Sequence, residues 1–181
     1  MRQTILALGM VVLIGCNTGK QSEEGRRMMA AQDESAIRNL IINLHADLKK
    51  LYASKMGDVD SVMAKYYVND MYYVTIWGTT ETLDSTKSRF KASIPRINDY
   101  DNSIENLSVK VYGEGAYAFF VLRQQYTVDG FRLAEYLPTT AILEKVGGDW
   151  KVVHQQRSTD PETIQQYLAM QQRTQPSGQK K

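Results

Sequence analysis

Gly113, Asp129-Gly130 and Gly147-Gly148 cut residues 104–158 into four runs, 104–112, 116–128, 131–146 and 150–158, each rich in β-branched and aromatic residues. Asp-Gly supplies the positive φ angles that a two-residue hairpin turn needs, so the runs on either side of it are expected to pair antiparallel. Four long strands joined in this way dictate a sheet, and the rest of the chain has to supply what covers it.

The cover is legible upstream. From Asp33, apolar residues recur at helical spacing through Ile37, Leu40, Ile41, Leu44, Leu48, Leu51 and Tyr52. Gly57 interrupts the pattern, Asp58 can cap a second helix, and Val59, Val62, Met63 and Tyr66 carry its apolar face. Residues 71–77 read as a strand bounded by Asn69-Asp70 and Gly78. A short strand over 81–83 and a helix over 84–94, stopped by Pro95, follow. After the last strand, Asp160-Pro161 marks a helix start, with Ile164, Tyr167 and Leu168 on one face. This order describes an α+β fold: a strongly curved, mainly antiparallel sheet wrapped around N-terminal helices.

The N-terminus gives an address. Arg2 precedes an apolar run over 5–14, short of the roughly 20 residues that cross a bilayer as a helix. That length suits the core of a signal peptide. The run ends in Leu13-Ile14-Gly15-Cys16, and Cys16 is the only cysteine of the 181 residues. The tetrapeptide resembles the lipobox of bacterial lipoproteins, which implies acylation of Cys16, removal of residues 1–15 and a lipid-anchored protein of the bacterial cell envelope, on its periplasmic or cell-surface side. Residues 16–32 then read as a polar tether, 33–158 as the folded domain, 159–173 as a C-terminal helix and 174–181 as a disordered tail. A net charge of +2 with scattered Lys and Arg argues against a nucleic-acid surface. Two histidines and no cysteine beyond Cys16 argue against zinc or haem, and no cofactor is expected.

The element order, with "GEGAYAFFVLRQQYTVDG", "TTAILEKVGGDWKVVHQQRS" and the run Trp150-Lys151-Val152-Val153-His154, resembles the SnoaL-like branch of the nuclear transport factor 2-like, cystatin-like superfamily. It is also similar to the association domain of calcium/calmodulin-dependent protein kinases. The resemblance implies a cone-shaped fold enclosing a pocket lined by alternate strand residues. Where the kinase domains carry pocket arginines on three adjacent strands, this chain aligns Leu122, Ala141 and Arg157. The family's His-x-His-x-Ser strand end is here His154, Gln156 and Ser158, and an Arg two residues before the position of Thr140 is Pro138.

Strand alternation puts Lys151, Val153, Gln155 and Arg157 on one face of the last strand, and Trp150, Val152, His154, Gln156 and Ser158 on the other. Phe120, Gln124 and Tyr126 are expected to share the pocket with Gln155 and Arg157, and Glu135 to face the same way, as a ligand contact or as an internal partner of Arg157. His45 is expected to be structural or solvated and His154 to be a packed sheet residue. Tyr66, Tyr67, Tyr72, Tyr73 and Trp77 are expected in the core. The leading function is a lipid-anchored module that binds a small carboxylate-bearing molecule, or a partner, without catalysis. An isomerase, cyclase or dehydratase of the SnoaL or ketosteroid-isomerase kind needs a general base in an apolar cavity, which neutral amides do not supply. Dimeric scaffolding is the third reading. A homodimer is expected through the uncovered sheet face, with Val152 and Trp150 on it.

Overall fold

The computed structural model describes residues 23–55 and 57–174. The expected lipid site at Cys16, residues 1–15 and most of the tail over 174–181 lie outside the described residues. Ten elements follow in order: α1 (Glu23–Ser54), α2 (Val59–Tyr66), β1 (Tyr67–Val74), β2 (Thr80–Thr82), α3 (Leu83–Ser93), β3 (Ile97–Tyr112), β4 (Gly115–Val128), β5 (Phe131–Val146), β6 (Asp149–Arg157) and α4 (Pro161–Thr174). They form an α+β fold around one open six-stranded sheet in the order β2-β1-β6-β5-β4-β3. Every neighbouring pair is antiparallel except β1 and β6, which run parallel.

The hairpins are those the glycines announced. Asp129 and Gly130 have φ of 50° and 82°, and Gly147 and Gly148 have 61° and 94°, the paired positive angles of tight hairpin turns. α1 lays Ile37, Ile41, Leu44, Leu48 and Leu51 against the inner sheet face, all of them buried. From the sheet, Ala118, Phe120, Leu122, Leu133, Leu137, Ala141 and Leu143 meet that stripe. Asp58 caps α2, and the Asp160 carboxylate accepts the amide of Thr163 at 2.9 Å at the start of α4. Among the described residues no helix is long and apolar enough to cross a membrane.

Three boundaries differ from the sequence reading. α1 begins at Glu23, so the last ten residues of the expected tether are helical; they are almost all exposed, with an Arg27–Glu23 pair one turn apart. A helix that is polar all round carries no periodic signal. β1 begins at Tyr67 and ends at Val74, leaving Trp77 in the following turn, and β3 begins at Ile97. β3 is long because two bulges, with Asp99 and Asn106 at φ of 52° and 55°, bend it around α1 without ending its pairing to β4.

A bulge also corrects the faces of β6. His154 pairs with Ile142 while Val152 pairs with Leu143, so Val153 is an extra residue. The alternation resets there: Trp150 and Val152 point inward with Gln155 and Arg157, and His154 points outward. Val152 is fully buried and Trp150 donates to Asp33 of α1 at 3.1 Å. The outer sheet face therefore lacks the two residues on which the dimer expectation rested. It carries instead Tyr117, Ile142, His154 and Tyr72, Cα partners in one continuous row across β4, β5, β6 and β1, with Phe119 in the next row.

Candidate functional site

The curved sheet leaves a cavity of about 270 Å³ where the inner face parts from the helices. β4 brings Gln124 and Tyr126, β5 brings Glu135 and Leu137, and β6 brings Arg157. α1 supplies Tyr52, β1 Tyr73, β3 Tyr100, α3 Arg89 and Phe90, and α4 Tyr167. Of the expected ligand contacts, Arg157, Gln124, Tyr126 and Glu135 border this space together. Phe120 and Gln155 do not. Phe120 is packed in the core with its ring edge-on to His45, and Gln155 is buried, its Oε1 accepting the Tyr67 hydroxyl at 3.0 Å.

Most of the wall is aromatic. Tyr52 stacks on Tyr100 at 4.4 Å, Tyr100 lies parallel to Tyr126 at 6.2 Å, and Trp77 meets Tyr167 edge-on at 5.3 Å at the mouth. Burial pushes the hydroxyl pKa values of Tyr100, Tyr126 and Tyr167 up, the last two also beside the Glu135 charge, so these phenols are neutral donors.

Glu135 is the hub of the polar side. It is only 5% exposed. Its Oε1 accepts from Tyr126 at 3.1 Å and from Tyr167, and its Oε2 accepts from Gln124. The Gln124 carbonyl in turn takes the Tyr100 hydroxyl at 3.0 Å, and Asn102 donates to that hydroxyl at 3.3 Å and to the His45 carbonyl at 3.1 Å. A shallower polar recess of about 320 Å³, bordered by Asp101, Arg123 and Asp160, shares Gln124 and Glu135 with the cavity.

The two cations of the cavity differ. Arg89 holds Glu81 with Nε 3.0 Å from both carboxylate oxygens. Arg157 has no carboxylate within ion-pair distance among the described residues, so the internal pairing with Glu135 does not form. Its guanidinium lies over the Tyr73 ring at 5.5 Å, and its Nε is buried without a hydrogen-bond partner. A buried guanidinium nitrogen left unpaired costs free energy, as do the unpaired Nε2 of Gln155 and the two ring nitrogens of His45 nearby in the core.

The histidines do not enter this chemistry. His45 is 1% exposed rather than solvated, with neither ring nitrogen hydrogen-bonded; burial, then the nearby Arg157 charge, lowers its pKa to about 3. His154 is half-buried on the outer face. Tyr66, Tyr67 and Tyr73 are core residues, Tyr73 also bordering the cavity, while Tyr72 and Trp77, expected in the core, are exposed, Trp77 at the edge of the cavity. The reading from sequence also lacked Tyr100, Arg89 and Tyr167; Tyr167 had a signal in the helix start at Asp160-Pro161, but nothing showed where that helix docks. Among the described residues no group of three His, Cys, Asp or Glu side chains could hold a metal ion.

No family model matches the chain, and no curated protein does. Solved structures do. A nuclear transport factor 2-like protein with a cystatin-like fold from Novosphingobium aromaticivorans shares 16% identity over 82% of this chain and 98% of its own, with a TM-score of 0.60. A nuclear transport factor 2-like protein of unknown function from Pseudomonas aeruginosa shares 20% identity over 69% and 98%, with a TM-score of 0.58. A chain assigned as a Ca/calmodulin-dependent kinase II association domain from Exiguobacterium sibiricum shares 14% identity over 71% and 95%, with a TM-score of 0.60. At these identities the shared property is the fold.

Proposed function

Starting from a chain with the cystatin-like fold of nuclear transport factor 2-like proteins, we propose that it binds a small carboxylate-bearing molecule in the cavity at Arg157, without catalysis. The observation that carries this reading is the unpartnered, buried Arg157 Nε in an aromatic pocket. A planar guanidinium pairs with a carboxylate in two parallel hydrogen bonds. The volume suits a molecule of about a dozen heavy atoms or fewer. Calorimetry with a panel of small carboxylates tests it. Arg157→Gln is expected to abolish binding with the fold intact, and Arg157→Lys to keep part of it, because an ammonium lacks the fork. Equal affinity in wild type and Arg157→Gln would sink the proposal.

A second reading, an isomerase-type enzyme, draws on Glu135, a buried carboxylate ringed by phenols. Binding is preferred because two tyrosines and a glutamine fill three of the about four acceptor positions of the carboxylate and pin it in place, which leaves it little freedom to approach a substrate proton. The same proposal includes a lipid anchor at Cys16 that places the domain in the cell envelope, and a homodimer through the outer sheet face.

A further inference from the structure

Arg157 and Glu135 border one cavity, carry opposite charges and do not touch. The Cα partner of Arg157 on β5 is Thr139, and Glu135 lies four residues before it on the same inward face of that strand. At about 3.3 Å per residue this sets their backbones roughly 13 Å apart along the strand. Leu137 lies between them, and Tyr73 and Tyr100 also line the space. Arg89 and Glu81 neutralise each other, so the charges facing the empty space are one positive and one negative.

That balance restricts the ligand further than Arg157 alone does. A simple carboxylate at Arg157 would leave the poorly solvated cavity with an excess negative charge beside Glu135. A ligand that also carries a cation leaves it neutral. The Glu135 end is furnished for a cation: the carboxylate borders the cavity, Tyr126 and Tyr167 meet it through their hydroxyls, and an ammonium is a donor of matching charge. The carboxylate still has room, since it offers about four acceptor positions and three are filled by Tyr126, Tyr167 and Gln124.

We propose that the cavity selects small zwitterions, with the ligand carboxylate on Arg157 and its ammonium on Glu135, the two ends held apart by a short apolar chain. The inference rests on the carboxylate reading of Arg157. Calorimetry on the full chain with 5-aminopentanoate, pentanoate and N-acetyl-5-aminopentanoate separates the two claims. The wild type is expected to bind 5-aminopentanoate at least about tenfold more tightly than either of the others, a factor within reach of one desolvated charge contact. Glu135→Gln, which keeps the shape of the side chain and an acceptor for the phenols, is expected to erase that preference. Should Glu135→Gln not fold, the wild-type comparison decides alone. Pentanoate bound as tightly as 5-aminopentanoate, and still dependent on Arg157, would overturn the zwitterion and leave the carboxylate site standing. A preference for 5-aminopentanoate that survives in folded Glu135→Gln would also overturn it. Millimolar acids that fail to bind, or that bind Arg157→Gln as well as wild type, would overturn both.

Discussion

The His45 ring meets the Phe120 ring edge-on, centroids 5.4 Å apart at 70°, and neither of its nitrogens has a hydrogen-bond partner. Phe120, Thr139 and Arg157 are successive Cα partners across β4, β5 and β6, and the Arg157 charge further disfavours the imidazolium after burial has done so. His45 is thus held neutral in the fold.

Acid stability should report this. Below about pH 6.5 the unfolded chain takes up a proton that the folded chain refuses until about pH 3, so stability falls as pH drops through that window. The slope is at most about 1.4 kcal/mol per pH unit from this group. Urea unfolding between pH 4 and 7 is expected to show it, and His45→Leu to flatten it. A slope unchanged in His45→Leu would mean that another group carries the pH dependence. Asp47, whose pKa is lowered to about 2 chiefly by the Tyr66 hydroxyl, adds a loss of the same sign only below about pH 4.

Tyr126→Phe removes one donor from a buried carboxylate. Hydrogen bonds to charged groups contribute about 1.5–3 kcal/mol, and a loss in that range is expected from chemical denaturation. Tyr112, 66% exposed and stacked on Tyr117, serves as the control, because Tyr112→Phe keeps the ring contact and should change nothing measurable.

For the dimer, the row Tyr117, Ile142, His154 and Tyr72 is the surface to disrupt, since Trp150 and Val152 are covered by the chain itself. Ile142→Glu is expected to convert a dimer to a monomer in sedimentation at micromolar concentration, with no change in thermal stability of the protomer. A wild type that is already monomeric would dismiss the interface.

Cys16→Ser is expected to leave an uncleaved precursor without lipid label in the producing cell. Unaltered mature mass and labelling in that variant would rule out the anchor.

The sequence carried the strands well because their turns are written in Asp129-Gly130 and Gly147-Gly148, whose backbone angles leave little choice of residue. The inward set Phe120, Gln124, Tyr126, Glu135 and Arg157 was legible for the same reason: two-residue turns fix register, and register fixes faces. What escaped is what alternation cannot encode. The extra residue Val153 looks like any strand residue, so the inward turn of Trp150 and Val152 was hidden. The position of Tyr167 was hidden too. α4 is docked by polar bonds to backbone, Gln166 to both polar atoms of Ala134 at 2.9 and 3.0 Å and Thr163 to Tyr136 at 3.2 Å, which leave no periodic trace.

β6, the last strand of the chain, lies in the middle of the sheet, between β1 and β5, and joins Tyr67 to Gln155 across 88 residues. Parallel pairing at such separation is slow to find, because loop closure is paid before any contact rewards it. A chain stopped before Asp149 would hold β1-β2 and β3-β4-β5 as two separate ribbons, each with an unprotected edge facing the other. Arg157 arrives with the strand that joins them. The pocket is therefore complete only in species in which that strand has joined the two ribbons, and a ligand of Arg157 is expected to stabilise those species alone.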